Sequence, residues 1–257
     1  MKNLLIAGSC LVLLITSCKK SNDSSTSSPP TGALIRVQQG TDANIAKDTV
    51  FLIKYNSANK IASITDSLLH DTLVAQYDAG NKLSSVHSTR NINATYTWDA
   101  NGLLTQLNYT YGSDSERYTF EYTNGVMSRK NYYINLGSGT YTLMGYNTYI
   151  VLGGNINRVN AHAADGTLEY TLTYTYGTQS NTFKDLGLFN YGGHLGSDDI
   201  IDIDTWFNTN LRATISKDDG SLISNTYTLA DKQQVAKAVS SNVTYGDVFT
   251  WMFTYQP

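Results

Sequence analysis

One phrase, an aromatic residue followed by a cluster of turn formers and a returning apolar residue, recurs along this chain. It reads KYNSANKI at 54–61, QYDAGNKL at 76–83, TWDANGLL at 97–104 and EYTNGVM at 121–127. Tyr55, Tyr77, Trp98 and Tyr122 stand 22, 21 and 24 residues apart. A period in the twenties that holds two strand-length pieces and one turn is a repeated β-hairpin. Weaker copies follow at GGNINRV (153–159) and YTLADKQQV (227–235).

The bends have a physical reason. Tight hairpin turns need positive φ, which glycine accepts freely and asparagine tolerates, so Asn101-Gly102, Asn124-Gly125, Asp165-Gly166 and Asp219-Gly220 mark reversals. Between them the residues alternate. Leu168, Tyr170, Leu172, Tyr174 and Tyr176 share one face against Thr167, Glu169, Thr171, Thr173 and Thr175. Tyr118, Phe120 and Tyr122 likewise oppose Thr119, Glu121 and Thr123, and Trp251, Phe253 and Tyr255 oppose Thr250, Met252 and Thr254. Period two with one apolar face indicates an antiparallel sheet, one side buried and one wet. The composition agrees: 19 Tyr beside 7 Phe and 3 Trp, with 15% charged residues, suits a pleated half-wet surface.

The expected fold is therefore mainly β, a large curved antiparallel meander of roughly ten to fourteen strands that curls into a half-barrel or shell, because large sheets cannot stay flat. One short helical insert is expected from about Ser197 to Leu211. There Ile200, Ile203, Trp206, Phe207 and Leu211 approximate helical spacing after a Ser197-Asp198-Asp199 cap.

The amino terminus reads as a leader. Met1-Lys2-Asn3 is a short positive start, Leu4 to Ile15 is apolar, and small residues precede Cys18. That is the order of a secretory signal peptide, too short to span a bilayer, which needs about 20 apolar residues. The Leu/Ile-x-small-Cys arrangement resembles the lipobox of bacterial lipoproteins, which implies cleavage before Cys18 and its acylation. Cys10 is lost with the leader, residues 1–17. The remaining chain carries 17 cationic and 21 acidic residues and, with Cys18 acylated, no free thiol. Disulfides, a cysteine nucleophile and thiolate metal sites are then excluded. Residues 18–33, with Ser24 to Pro30 at their centre, form a flexible Ser/Pro tether, and a single β domain follows over 34–257.

The phrases YDAGNKL and WDANGLL resemble the YD repeats of RHS-type shell proteins. Lipobox, Ser/Pro tether and YD-like hairpins together are similar to uncharacterised Bacteroidetes lipoproteins of unknown function. NTFKDLGLF at 181–189 and FNTNLRATI at 207–215 resemble elements that interrupt the hairpins in that group, with Arg212 where a proline is expected. Coverage is about residues 45–257. The resemblance implies a β-sheet fold and an envelope location, and it supplies no catalytic residues.

The chemistry-bearing motifs are sparse. There is no Gly-x-Ser-x-Gly elbow, no His-Glu-x-x-His and no phosphate-cradling loop, and His70, His87, His162 and His194 are far apart in sequence. Gly192-Gly193-His194 is read as a loop rather than an oxyanion site. Asp198, Asp199, Asp202 and Asp204 form the one candidate cation cluster, but isoleucines interleave with them and acids at a helix start explain them more simply. No cofactor or metal is assigned. A net charge of −3 gives no footprint for nucleic acid.

Two functional classes follow. The first is a non-enzymatic, lipid-anchored binding, scaffold or partner-docking module of the cell envelope. It attaches at Cys18, in the outer membrane with its face unassigned, and contacts a glycan, a peptide or an envelope protein. The alternative is a secreted glycan-active hydrolase. It would need two carboxylates about 5–9.5 Å apart, and the only glutamates are Glu116, Glu121 and Glu169, the last two on wet faces. The arrangement of Tyr109, Tyr111, Tyr132, Tyr133 and Trp206 decides whether an aromatic ligand surface exists.

Overall fold

The computed structural model describes residues 28–29, 31–41, 49–189, 202–231 and 234–257. Cys10, Cys18, Asp198, Asp199 and Gly192-Gly193-His194 lie outside the described residues. Sixteen strands are found among those described. The first eight are β1 (Leu34–Thr41), β2 (Val50–Tyr55), β3 (Ile61–Asp66), β4 (Asp71–Tyr77), β5 (Leu83–Ser88), β6 (Ile92–Trp98), β7 (Leu104–Tyr111) and β8 (Asp114–Thr123). They continue as β9 (Val126–Leu136), β10 (Thr142–Leu152), β11 (Asn155–Ala163), β12 (Leu168–Ser180), β13 (Asn210–Lys217), β14 (Leu222–Asp231), β15 (Gln234–Asn242) and β16 (Val248–Tyr255).

Each strand pairs antiparallel with its sequence neighbour, and β1 pairs with β16 from Leu34 opposite Tyr255 to Thr41 opposite Phe249. The sheet is thus a closed barrel, not the half-barrel or shell expected from the pattern, and it has more strands than expected. Closure leaves no row of unpaired N–H and C=O groups at an edge.

The repeated phrase builds its turns by a common device. Asn56, Asp78 and Asp99 each accept, through Oδ1, two backbone N–H groups of their own turn: Ala58 and Lys60, Gly80 and Lys82, Asn101 and Leu103. Asn59 and Asn81 then adopt φ near 60°, and Gly102 takes the same place at 84°. The side chain thereby supplies the acceptor and the next residues supply the left-handed backbone. Asn124-Gly125 is the tighter form, with positive φ at both residues.

The aromatic of each phrase has a separate task. Tyr77 Oη donates to the Ile61 carbonyl at 2.9 Å, Trp98 Nε1 to Leu83 at 2.7 Å and Tyr122 Oη to Leu104 at 2.7 Å. Tyr55, Tyr176, Tyr227 and Tyr255 donate in the same way to the carbonyls of Leu34, Ile156, Arg212 and Val235. Each ring lies in the second half of an even-numbered strand and binds one of the first three residues of the strand before it. A ladder of aromatic cross-ties therefore runs around one rim. Burial places these phenols in apolar surroundings and pushes the Tyr55 hydroxyl up to about 12.

The alternation expected from the sequence separates the two faces. Ile53, Ile64, Val86, Ala94, Leu107, Val159, Ala238 and Trp251 are buried and face inward. Outward lies a polar lattice: Asn108 binds Thr95, Arg117 binds Asn108, Asn131 binds Thr119, and Thr171 binds Asn160. Apolar residues on this face are scattered among polar neighbours. Leu52 lies between Arg36 and Thr65, Val74 between Ser63 and His87, and Met252 between Gln38 and Lys237. A membrane-spanning barrel carries the reverse pattern, an apolar band outside and polar residues within.

The helical insert expected over Ser197–Leu211 is corrected. Residues Ile203–Phe207 form a short 3-10 turn, and Leu211 lies in β13, buried in the apolar core. Asp202 and Thr205 close the turn reciprocally as a capping box, and Asn208 is already extended at ψ 138°. Among the described residues one short α-helix, α1 (Lys184–Gly187), precedes it. Residues 190–201 lie outside the described residues.

If the cross-ties stabilise the rim, Tyr77→Phe removes one hydroxyl donor to a backbone carbonyl and lowers unfolding stability by about 1 kcal/mol. Urea denaturation of the variant beside the parent measures it, and an unchanged midpoint would show the tie to be dispensable.

Candidate functional site

The connection from β12 to β13 turns into the barrel at the rim that carries the aromatic ladder. Its two described arms, 181–189 and 202–209, are held together by Asn181, whose Nδ2 donates to the carbonyls of Thr205 at 2.8 Å and Asn208 at 3.1 Å. Phe183 is fully buried and stacks on Phe253 of the wall with centroids 4.4 Å apart. Tyr96 from β6 donates its hydroxyl to the Leu188 carbonyl. Gly187 is required by close approach: a Cβ there would stand 2.6 Å from the Asp202 carbonyl oxygen. The connection is a plug packed against the inner wall.

Two buried ion pairs fasten it. Arg212 of β13 reaches Asp202 through both terminal nitrogens at 3.0–3.1 Å, and its guanidinium lies 4.8 Å from the Tyr174 ring. Lys130 of β9 meets Asp204 at 2.7 Å, with the Tyr149 hydroxyl 3.2 Å from the same carboxylate. Both side chains of the Lys130–Asp204 pair are nearly covered, at 12% and 11% exposure. Burial alone would raise the Asp202 carboxyl, but the charge and hydrogen bonds of Arg212, with those of Thr205, outweigh it and hold it below the ordinary value. Burial disfavours the Lys130 ammonium, and Asp204 more than offsets this, so its pKa is raised. Asn208, buried, bonds the Ile156 amide and the Tyr176 hydroxyl.

The acidic cluster is thus divided. Asp202 and Asp204 are engaged by Arg212 and Lys130, and among the described residues no group of three His, Cys, Asp or Glu could hold a metal ion. The structure does not bring the described histidines together. His70 sits in a turn, His87 bonds Asn93 on the outer face, and His162 stacks on Tyr146 with ring centroids 4.7 Å apart. The glutamates separate as well. Glu116 faces inward and accepts from Tyr118 at 2.7 Å, while Glu121 and Glu169 are exposed outside. Sequence reasoning missed Lys130, although alternation puts it on the face of Tyr132 and Ile134, and a lysine on an apolar face calls for a buried carboxylate partner.

Between plug and rim lie two adjoining clefts that share Trp206. The first, of about 240 Å³, is walled by Tyr77, Trp98, Leu188 and Trp206, with Lys60, Lys82 and Asp185 at its edge. Trp98 and Trp206 meet edge to face at 5.9 Å. The second, of about 330 Å³, lies between Tyr122, Met127, Val151, Trp206 and Phe207. Trp206 is partly exposed, Tyr111 is 55% exposed, and Tyr109, Tyr132 and Tyr133 are intermediate. The five aromatics are not all buried, and they do not form one surface: Tyr109 and Tyr132 face inward, Tyr133 outward, and Trp206 is on the plug.

No family model matches this sequence and no curated protein matches it. Solved structures do match. A porin-like protein from Bacteroides vulgatus ATCC 8482 is similar with a TM-score of 0.60 at 13% identity, over 88% of this chain and 99% of that one. A porin-like protein from Bacteroides uniformis ATCC 8492 gives 0.55 at 16% identity, over 89% and 100%. The Photorhabdus luminescens Tc holotoxin pore matches with a TM-score of 0.32 at 12% identity, over 86% of this chain and 11% of that one, too slight to bear on the fold. The likeness to the two Bacteroides proteins is one of fold.

Asp204→Asn strands the Lys130 ammonium in the interior and is expected to lower stability by about 3–5 kcal/mol, whereas Lys130→Met with Asp204→Leu recovers most of that loss. Chemical denaturation of the three proteins measures it. The Asp202 pair also sets an acid limit. Because the folded carboxyl is more acidic than the unfolded one, its contribution is complete above the unfolded value near about pH 4 and is lost as pH falls through the lower folded value. Denaturation between about pH 2 and 6 should show this slope flattened in Asp202→Asn.

Proposed function

We propose that this chain is a lipid-anchored protein of the cell envelope, attached through Cys18 to the outer membrane. Its plugged barrel is a non-enzymatic binding module that takes a saccharide at the plug–rim cleft. The observation that carries the binding role is the first cleft, where Trp98, Trp206 and Tyr77 present ring surface next to Lys60, Lys82 and Asp185. Aromatic walls with a few convergent polar groups suit the apolar face and hydroxyls of a sugar ring.

The polar outer lattice supports a barrel held outside the bilayer by an anchor rather than inserted in it. The apolar inner wall and the plug argue against a water-filled channel. The lipobox reading of residues 15–18 supports the anchor, because several acyl chains on one cysteine give stable attachment. The separation of Glu116 from Glu121 and Glu169 favours binding over glycoside hydrolysis.

Radiolabelled palmitate should enter the parent and not Cys18→Ala, which should leave the membrane fraction. On a glycan array the acyl-free protein should retain a subset of glycans, and Trp206→Ala should weaken retention by about tenfold, a loss of about 1.4 kcal/mol. Cleavage of a retained glycan in a parallel glycosidase assay would overturn the non-enzymatic reading.

A further inference from the structure

The aromatic ladder has eight equivalent positions among the described strands, and register identifies them. Ser85 pairs with Thr95, so Leu83 faces Thr97 and Trp98 lies one residue beyond. Gln106 pairs with Thr119, so Leu104 faces Glu121 and Tyr122 lies one beyond. The same offset relates Tyr77 to Ile61, Tyr176 to Ile156, Tyr227 to Arg212 and Tyr255 to Val235. Across the bulge at the start of β1 it relates Tyr55 to Leu34. On β10 and β9, Thr148 pairs with Arg129, so Ile150 faces Met127, and the residue one beyond is Val151.

Seven of the eight positions thus place a ring donor against the carbonyl of the preceding strand, at 2.6–3.1 Å. At the eighth the carbonyl belongs to Met127, and valine supplies neither ring nor donor. The second cleft lies at this place. Its volume is about 330 Å³, and Tyr122, Met127, Val151, Gly154, Trp206 and Phe207 line it. A space of that size falls within the range of small-molecule sites, about 300–1,000 Å³. Its walls are mostly apolar or aromatic. The missing rung and the cleft coincide, and the other rungs specify what fits: a flat ring with one hydrogen-bond donor at its edge.

We infer that this cleft binds a small phenolic molecule, its ring in the place left by Val151 and its hydroxyl donating to the Met127 carbonyl. The inference stands on the strand register and the second cleft. It does not use the anchor or the saccharide site.

Fluorine NMR on the intact acyl-free protein tests it with 4-fluorophenol and fluorobenzene as probes. The phenol should bind at least about tenfold more tightly than fluorobenzene, the difference a single satisfied hydrogen bond makes. Val151→Tyr should supply the eighth ring from within, so it should melt at a higher temperature than the parent and lose 4-fluorophenol binding. Val151→Ala, which keeps the cleft open, should retain it. No binding to the parent, or equal binding of the two probes, would overturn the proposal. So would a folded Val151→Tyr that still binds, a Val151→Tyr that melts lower than the parent, or a folded Val151→Ala that does not bind. Failure of the glycan experiment leaves these outcomes unaffected.

Discussion

Pairing of β1 with β16 is the constraint on which the rest of this molecule depends. Sixteen strands with one apolar face leave two edges and a large greasy surface unless the sheet returns on itself. Closure satisfies the backbone of both terminal strands and turns the apolar face inward in one step. It also creates an interior that a barrel of this strand number cannot fill with wall side chains alone. The long β12–β13 connection answers that need by sending Phe183, Leu186, Leu188 and Phe189 inside.

The plug is held by charge as well as by packing. Apolar side chains would fill the space in many arrangements, since burial is not directional. Arg212 and Lys130, each paired with a different aspartate of one short turn, fix where that turn sits. Such pairs contribute little net stability over apolar residues of similar size, yet breaking one is severe. Their effect here is positional: they set Trp206 and Phe207 between plug and rim, and so define both clefts.

Among solved structures the similar Bacteroides proteins are described as porin-like, and this chain shares their fold with low identity. The distribution of side chains in this chain runs against a membrane-inserted barrel. Arg117, Asn108, Asn131 and Thr171 form hydrogen bonds on the outer face, where the walls of lipid-facing barrels present apolar residues. In this barrel one sheet encloses the apolar core and turns polar side chains outward. The proposed binding role therefore falls at the rim, where strand ends, turns and plug meet.

The repeated phrase determined most of the local structure. Asn56, Asp78 and Asp99 predicted their turns, and the alternation at 170–176 and 251–255 predicted which aromatic side chains face in, because turn chemistry and the period-two pleat are properties of short segments; Leu168, beyond a register shift opposite His162, is 51% exposed instead, and Thr250 is buried. Closure was not legible, since whether a curling sheet meets its own first strand depends on twist accumulated over all sixteen strands. Nor was the fate of Asp202 and Asp204. Their spacing with isoleucines and Leu211 mimicked a helix, while the partners that decided otherwise, Lys130 and Arg212, lie on two other strands, β9 74 residues away from Asp204 and β13 10 residues beyond Asp202. Val151 shows the same division. Its departure from the aromatic phrase is written in the sequence, but only the register between β9 and β10 turns that departure into a cleft with an acceptor at its wall.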